Sequence, residues 1–188
     1  RRILSPLING LKSFKGRKSE EIRIIDVATG TGRTIKQIRS SLPKAELIGL
    51  DLSESYLRKA SKYLTSRDSK LAQLIRGNAE ELPFANNIMQ GVTCVFLLHE
   101  LPPKSRQRVL EECFRVLEKG GVFVMADSIQ IADSPQFKPI MENFHTFFHE
   151  PYYKDYISDD IDTRLKMAGF NCIKSETHFM TRVWSAIK

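Results

Sequence analysis

Short apolar runs rich in β-branched residues alternate along this chain with longer stretches of helical period. That alternation is the pattern of a parallel sheet covered by helices. The spacing predicts strands over Arg23–Ala28, Glu46–Leu50, Leu71–Arg76, Val92–Leu98 and Val122–Ala126. A helix follows Gly30-Thr31-Gly32, with Ile35, Ile38 and Leu42 on one face and Pro43 at its end. Another is capped by Ser53 and presents Tyr56, Leu57, Ala60 and Leu64. There is room for a helix between the third and fourth strands. A further helix covers Arg106–Leu117, with Val109, Leu110, Cys113, Phe114 and Leu117 on one side and Gly120-Gly121 stopping it. Val92–Leu98 is almost wholly apolar, as a central strand buried on both faces should be.

The end of the chain narrows the fold. A helix is expected over Ser158–Ala168, capped by Ser158, with Asp159 and Asp160 at its positive end and Gly169 as its stop. Two strands follow, Phe170–Glu176 and Met180–Ile187, separated by a turn too short for a crossover, so they pair as a hairpin. The expected fold class is α/β: a doubly wound, mostly parallel seven-stranded sheet with a C-terminal antiparallel hairpin, one domain spanning residues 1–188. Within it, residues 1–20 form an N-terminal helical cover. Ile3, Leu4, Leu7, Ile8, Leu11 and Phe14 give that cover an apolar face, which suits a helix over the pocket or, alternatively, peripheral contact with a membrane surface.

Composition excludes some classes. With 188 residues the chain can bury a real core. No apolar run approaches the roughly 20 residues that span a bilayer. Cys94, Cys113 and Cys172 lie far apart in apolar stretches, without C-x-x-C spacing or a Cys/His cluster. Neither a metal site nor a disulfide framework is expected, and buried thiols suit the cytoplasm or another reducing compartment. The chain does not start with Met, which points to a trimmed N-terminus and leaves an organelle as an alternative. The net charge of +7 is spread along the chain without a Lys/Arg block interleaved with aromatics, so a nucleic-acid partner is not expected.

The chemistry starts at Asp26-Val27-Ala28-Thr29-Gly30-Thr31-Gly32, where the first strand opens into a helix. In doubly wound folds ligands bind at this carboxyl edge. Gly30 and Gly32 let the backbone turn tightly and approach a ligand, and helix-start amides attract anionic groups. A G-x-G alone also fits a turn without ligand. A dinucleotide fingerprint asks for a third glycine where this chain has Ile35. Asp51, closing the second strand, can accept hydrogen bonds from ribose hydroxyls of a nucleotide or an adenosyl group.

In order along the chain, IIDVATGTG resembles the glycine-rich first motif of class I methyltransferases, and LIGLDLS the acidic second-strand motif. RGNAEELPF resembles the adenine-cradling segment, and VTCVFLLHEL with VLEECFRVLEKGGVFVMAD the fourth- and fifth-strand motifs. The branch it is most similar to holds the ubiquinone and menaquinone biosynthesis methyltransferases. The resemblance implies a Rossmann-like domain that binds S-adenosyl-L-methionine. It implies that Ala28, Thr29, Gly30, Thr31 and Gly32 wrap the methionyl part, with Asp26 helping to fix its amino group. It further implies Asp51 at the ribose, Leu52, Asn78 and Ala79 at adenine, and Phe96 and Leu97 lining the site. Ala28 departs from a commonly found glycine, and Asn78 from a commonly found Asp.

On the substrate side, His99 is the candidate catalytic base, with Glu100 beside it, and a structural His–Glu pair is the alternative. LHELPP stands where amino-methylating relatives carry D/N-P-P-Y/F/W, which argues against DNA bases and protein amides. Residues 133–157 form an aromatic, lid-like insertion holding Phe137, Phe144, Phe147, Phe148, Tyr152, Tyr153 and Tyr156. A small core packing the insertion onto the sheet accounts for most of these. His149, Glu150, Tyr152 and Tyr153 are the pocket candidates. The expected function is methyl transfer to a small, aromatic or quinone-like acceptor on carbon or oxygen. The alternatives are an RNA or protein methyltransferase, a nicotinamide-dependent oxidoreductase, or a silent binding module.

Overall fold

The computed structural model describes residues 2–65 and 72–188. Seven strands make one sheet: β1 (Arg23–Val27), β2 (Glu46–Asp51), β3 (Gln73–Arg76), β4 (Met89–Val95), β5 (Leu117–Ser128), β6 (Asn171–His178) and β7 (Thr181–Ile187). Their order is β3-β2-β1-β4-β5-β7-β6. β1 to β5 are parallel, and β7 runs antiparallel to both β5 and β6. The expected doubly wound sheet with its terminal hairpin is therefore present. Because β1 pairs with β2 on one side and β4 on the other, the strand order reverses between β1 and β4. That reversal opens a crevice at the carboxyl ends of the strands.

Successive strand residues point to opposite faces, so both faces must be covered. On one face α1 (Leu4–Leu11) and α2 (Arg33–Ser41) bury Leu7, Ile35 and Ile38 against Ile24, Leu47, Val122 and Val124. On the other, α4 (Pro103–Val116) and α7 (Ile161–Ala168) bury Val109, Leu110, Cys113 and Leu165 against Ile25, Val92, Phe123 and Trp184. Each such aliphatic side chain contributes about 1.5–3 kcal/mol by leaving water. Flanking β2, α3 (Glu54–Leu64) is capped as expected, Ser53 Oγ accepting the Tyr56 N–H, with Leu57 and Ala60 buried. Tyr56, expected on the buried face, is exposed.

The N-terminal cover lies close on the sheet: a Cβ at Gly10 would stand 2.4 Å from Val122 Cγ2. Ser13 Oγ donates to Gly120 O at 3.2 Å and Arg17 pairs with Glu118 at 3.0 Å, so this segment is fastened at the amino end of β5, opposite the crevice. Its apolar stripe meets protein, with Ile3 and Leu7 buried. Among the described residues, no helix is long and apolar enough to cross a membrane.

Several boundaries differ from expectation. β4 starts at Met89, not Val92, and ends at Val95, because Phe96 turns to φ 55 and breaks the ladder. The helix expected to run to Leu117 stops at Val116, and Leu117 through Gly121 already belong to β5. Asp160, not Ser158, caps α7 by accepting the Thr163 N–H, while Gly169 ends it at φ 104 as expected. Between β3 and β4, residues 77–88 form turns and bends with no helix. Leu71, the expected start of the third strand, lies outside the described residues. Cys94 and Cys113 are buried, and burial pushes both thiols up, but Cys172 is exposed.

Candidate active site

The crevice begins with two loops fastened to one another. After β1 the chain turns through Ala28 at φ 55 and Gly30 at φ 54, and Gly32 at φ 79 starts α2. Ala28 holds a left-handed conformation that costs a residue with a Cβ about 1–2 kcal/mol. The turn is fixed by Thr29 N–H donating to Leu50 O at 2.9 Å and by Gly30 N–H donating to Asp51 Oδ2 at 2.8 Å. Asp51 Oδ1 accepts the Ser53 N–H at 2.8 Å, which orients the loop into α3. Beneath the turn, Asp26 accepts from Thr29 Oγ1 and Thr93 Oγ1, both at 2.6 Å. Burial pushes its carboxyl up to about 6, against the two hydroxyl bonds.

The same edge carries apolar side chains facing solvent. Leu52 is 67% exposed and Phe96 49% exposed, beside half-buried Leu97 and Ala79. Asn78 is exposed, and its Oδ1 accepts the Glu80 N–H at 3.0 Å. A Cβ placed on Gly30 meets no atom within 4 Å, so space opens directly over the turn. Thr31 lies between the two glycines of that turn.

His99 stands across the crevice in a short 3-10 turn, Leu98–Glu100, after β4. Its Nδ1 lies 2.6 Å from Asp127 Oδ1 and its Nε2 lies 3.5 Å from Glu150 Oε2. Asp127 is buried near the end of β5 and also accepts the Leu98 N–H at 2.9 Å and the Ser128 N–H at 2.7 Å. The rings of Phe96, Tyr153 and Tyr156 meet His99 edge-on at centroid distances of 6.0–6.2 Å. Burial disfavours a charged imidazole here. The Asp127 bond, with the charges of Asp127, Glu150 and Glu100, outweighs it and raises the ring above its usual pKa. Glu100 is raised as well, first by burial and then by Glu150, Asp127 and Asp51, with His99 opposing.

The insertion folds as α5 (Lys138–Phe147) and α6 (Tyr153–Tyr156) against this edge. Tyr153 is buried, with its hydroxyl 2.7 Å from Ser128 Oγ, and Tyr156 donates to Ser128 O at 2.8 Å. Tyr153, expected at the pocket, is thus a core side chain whose ring also meets His99, and Tyr156 is core. Glu150 joins the His99 cluster. Tyr152 is partly exposed at its border. His149 is exposed and, among the described residues, stands outside the bonds and ring contacts around His99.

Two contributors were not singled out in the sequence. Asp127 reads there only as the last letter of a strand motif. Arg106 stands there only as the start of a helix, yet it is fully buried and donates to Leu98 O at 3.0 Å, Asp159 at 2.8 Å and Tyr152 O at 2.8 Å. It ties the His99 turn to the insertion. No periodicity marks either residue, since both act through polar partners brought in from other parts of the fold rather than through a repeated face. A cavity of about 800 Å³ lies elsewhere, between α1 and the β6–β7 hairpin, and includes Arg2, Asn9, Lys174 and Ser185. Its lining includes none of the crevice residues described above.

A seven-stranded sheet in this order, with a glycine turn and a facing acid at the strand reversal, defines the class I methyltransferase fold. Residues 24–121, more than half of the chain, match the family described as methyltransferase domain, and the chain belongs to that family. It is 33% identical over 141 residues to a demethylmenaquinone methyltransferase of Listeria monocytogenes, covering 71% of this chain and 58% of that protein. A demethylmenaquinone methyltransferase of Lactiplantibacillus plantarum is 35% identical over 125 residues, 65% of this chain and 52% of that one. The chain thus spans a little over half the length of these curated relatives. Among solved structures it resembles a SAM dependent methyltransferase from Aquifex aeolicus, with TM-score 0.68 and 18% identity over 97% of this chain and 90% of that one. It also resembles Haemonchus contortus phosphoethanolamine N-methyltransferase 2 in complex with S-adenosyl-L-methionine, with TM-score 0.69 and 15% identity over 96% and 52% of the two chains.

Proposed function

We propose that this chain transfers the methyl group of S-adenosyl-L-methionine to a small aromatic or quinone-like acceptor, on carbon or oxygen. The observation that carries the reading is the fastening of the Gly30 turn to Asp51 at the strand reversal, with open space above Gly30. The residues present fit the cofactor. Gly30, Thr31 and Gly32 with Ala28 and Thr29 would hold the methionyl end, with Asp26 buttressing the turn from below. Asp51 would take the ribose hydroxyls: each of its oxygens already accepts one N–H, and a carboxylate offers about four acceptor sites. Leu52, Asn78 and Ala79 would meet adenine, and the exposed ring of Phe96, with Leu97, would cover the reacting end. When bound, the cofactor supplies an electrophilic methyl on a sulfonium.

The chain's own part is to align the acceptor, exclude water and move a proton. His99 serves as base: Asp127 holds one ring proton at Nδ1 and so keeps the Nε2 lone pair for an acceptor hydroxyl. The surrounding aromatic rings suit a flat apolar acceptor. The names of the two curated relatives support a quinone-like acceptor. Calorimetry tests the cofactor: S-adenosylmethionine and S-adenosylhomocysteine should bind at micromolar level while NAD does not. Binding of NAD without the adenosyl ligands overturns the reading in favour of an oxidoreductase. A panel of quinols and phenols tests the acceptor, and methylation of RNA or protein instead overturns the small-molecule assignment.

A further inference from the structure

We propose that Glu150 is the proton outlet of the site, so that Asp127, His99 and Glu150 form one relay leading from the buried base to water. The proposal rests on His99 being the base. Its origin is a problem of burial. The His99 side chain is 9% exposed and walled by Phe96, Tyr153 and Tyr156, so a proton taken at Nε2 has no direct path to solvent. The imidazole must lose that proton before the next turnover.

The neighbouring groups leave one exit. Asp127 is 1% exposed, and its two oxygens already accept from His99, Leu98 and Ser128. Tyr153 and Tyr156 direct their hydroxyls to Ser128. Arg106 spends its guanidinium on Leu98 O, Asp159 and Tyr152 O. Glu100 lies exposed on the His99 turn itself, but among the described residues its carboxylate makes no hydrogen bond or ion pair with the ring.

Glu150 is different in three respects. Its Oε2 lies 3.5 Å from His99 Nε2, just beyond hydrogen-bond reach. Among the described residues that buried oxygen has no hydrogen-bond partner. Its side chain is 22% exposed, against 9% for His99 and 1% for Asp127, so of the three it is the least shielded from water. The backbone fixes it there: the Glu150 N–H donates to Phe148 O at 2.8 Å, and its carbonyl accepts the Tyr153 N–H at 3.2 Å. An unpartnered carboxylate oxygen facing a buried imidazole is costly to maintain unless the ring carries a proton during the cycle.

The step balances without a redox partner. The acceptor O–H bond breaks and an N–H bond forms at Nε2, leaving the electron pair on the acceptor for bonding to the methyl. The proton then passes from Nε2 to Glu150 Oε2, and rotation of the neutral carboxyl group carries it from that buried oxygen to water, which returns the ring to its neutral form with the Nδ1 proton still facing Asp127.

The test is a pH titration of the chain labelled with ¹⁵N-histidine, in the presence of S-adenosylhomocysteine. The His99 signals are assigned by their loss in His99→Ala. In the unaltered chain the neutral ring should carry its proton on Nδ1. Glu150→Gln should lower the His99 pKa by about half a unit or more. The shorter Glu150→Asp should lower it less, and it serves as the second variant if Glu150→Gln does not fold. With an acceptor from the quinol and phenol panel, Glu150→Gln should turn over more slowly, and added formate should restore part of the rate. An unmoved His99 titration in Glu150→Gln overturns the relay. Full turnover by His99→Ala would instead remove the base reading itself, a result separable from the titration.

Discussion

The Gly30 N–H and the Asp51 carboxylate are joined at 2.8 Å, so the loop after β1 and the loop after β2 behave as one piece. Two sequence motifs 21 residues apart meet in a single charge-assisted bond. The acid therefore shapes the glycine turn as well as facing the crevice.

Asp51→Ala should lower S-adenosylhomocysteine affinity about tenfold or more, the loss of a charge-assisted bond of roughly 1.5–3 kcal/mol. Isothermal calorimetry checks it. Unchanged affinity in a folded variant would assign the ribose to a different residue.

For His99→Ala we expect turnover about 100-fold lower or more, with cofactor affinity nearly intact. A purely structural His99 would give the opposite pair of results, a lower melting temperature and unchanged turnover per folded molecule. Both quantities should be measured on the same preparation.

Asp26 makes stability depend on pH in an uncommon direction. Its carboxyl is at 3.8 when free and pushed up to about 6 in the fold, chiefly by burial. The folded chain keeps the proton that the unfolded chain loses, so between about pH 4 and 6 stability falls as pH rises. Above that window a constant cost of roughly 3 kcal/mol remains. Below the unfolded value both forms are protonated and the cost vanishes. Melting temperatures across pH 4–7 should show this slope in the natural chain and a flatter profile in Asp26→Asn. A slope identical in both would assign the effect to another group.

Arg106→Ala should destabilise by about 1–3 kcal/mol, because it leaves the Leu98 and Tyr152 carbonyls without their buried donor, while Asp159 keeps its pair with Arg164. Chemical denaturation measures the loss. Hydrogen exchange should rise first in residues 148–157, the part of the insertion that the guanidinium holds.

The sequence made one half of this molecule legible and not the other. β1, the Gly30–Gly32 turn, the Ser53 cap, the Gly169 stop and the final hairpin follow from local rules of period, capping and turn length. Those rules act within a few residues, and a short window reveals them. The errors arose where a distant partner decides. Leu117 through Gly121 look like a helix end, yet Leu117 pairs beside Met89 and the strand begins there. Phe96 looks like strand interior, yet its φ of 55 ends β4 and turns its ring outward. His99 was visible as a titratable residue after a central strand. Its partner Asp127 lies 28 residues away, and only the parallel pairing of β4 with β5 brings them together.

Strand order also sets a timetable for biosynthesis. β7 is the last strand in the chain but lies inside the sheet, between β5 and β6, with Trp184 wholly buried beneath it. While a ribosome is still adding residues 181–187, β5 has an open edge and β6 has nothing to pair with. Domains fold as units once their non-local pairings can form. The nascent sheet must therefore wait, its β5 edge available to other strands, until residues 181–187 emerge and slot in between β5 and β6.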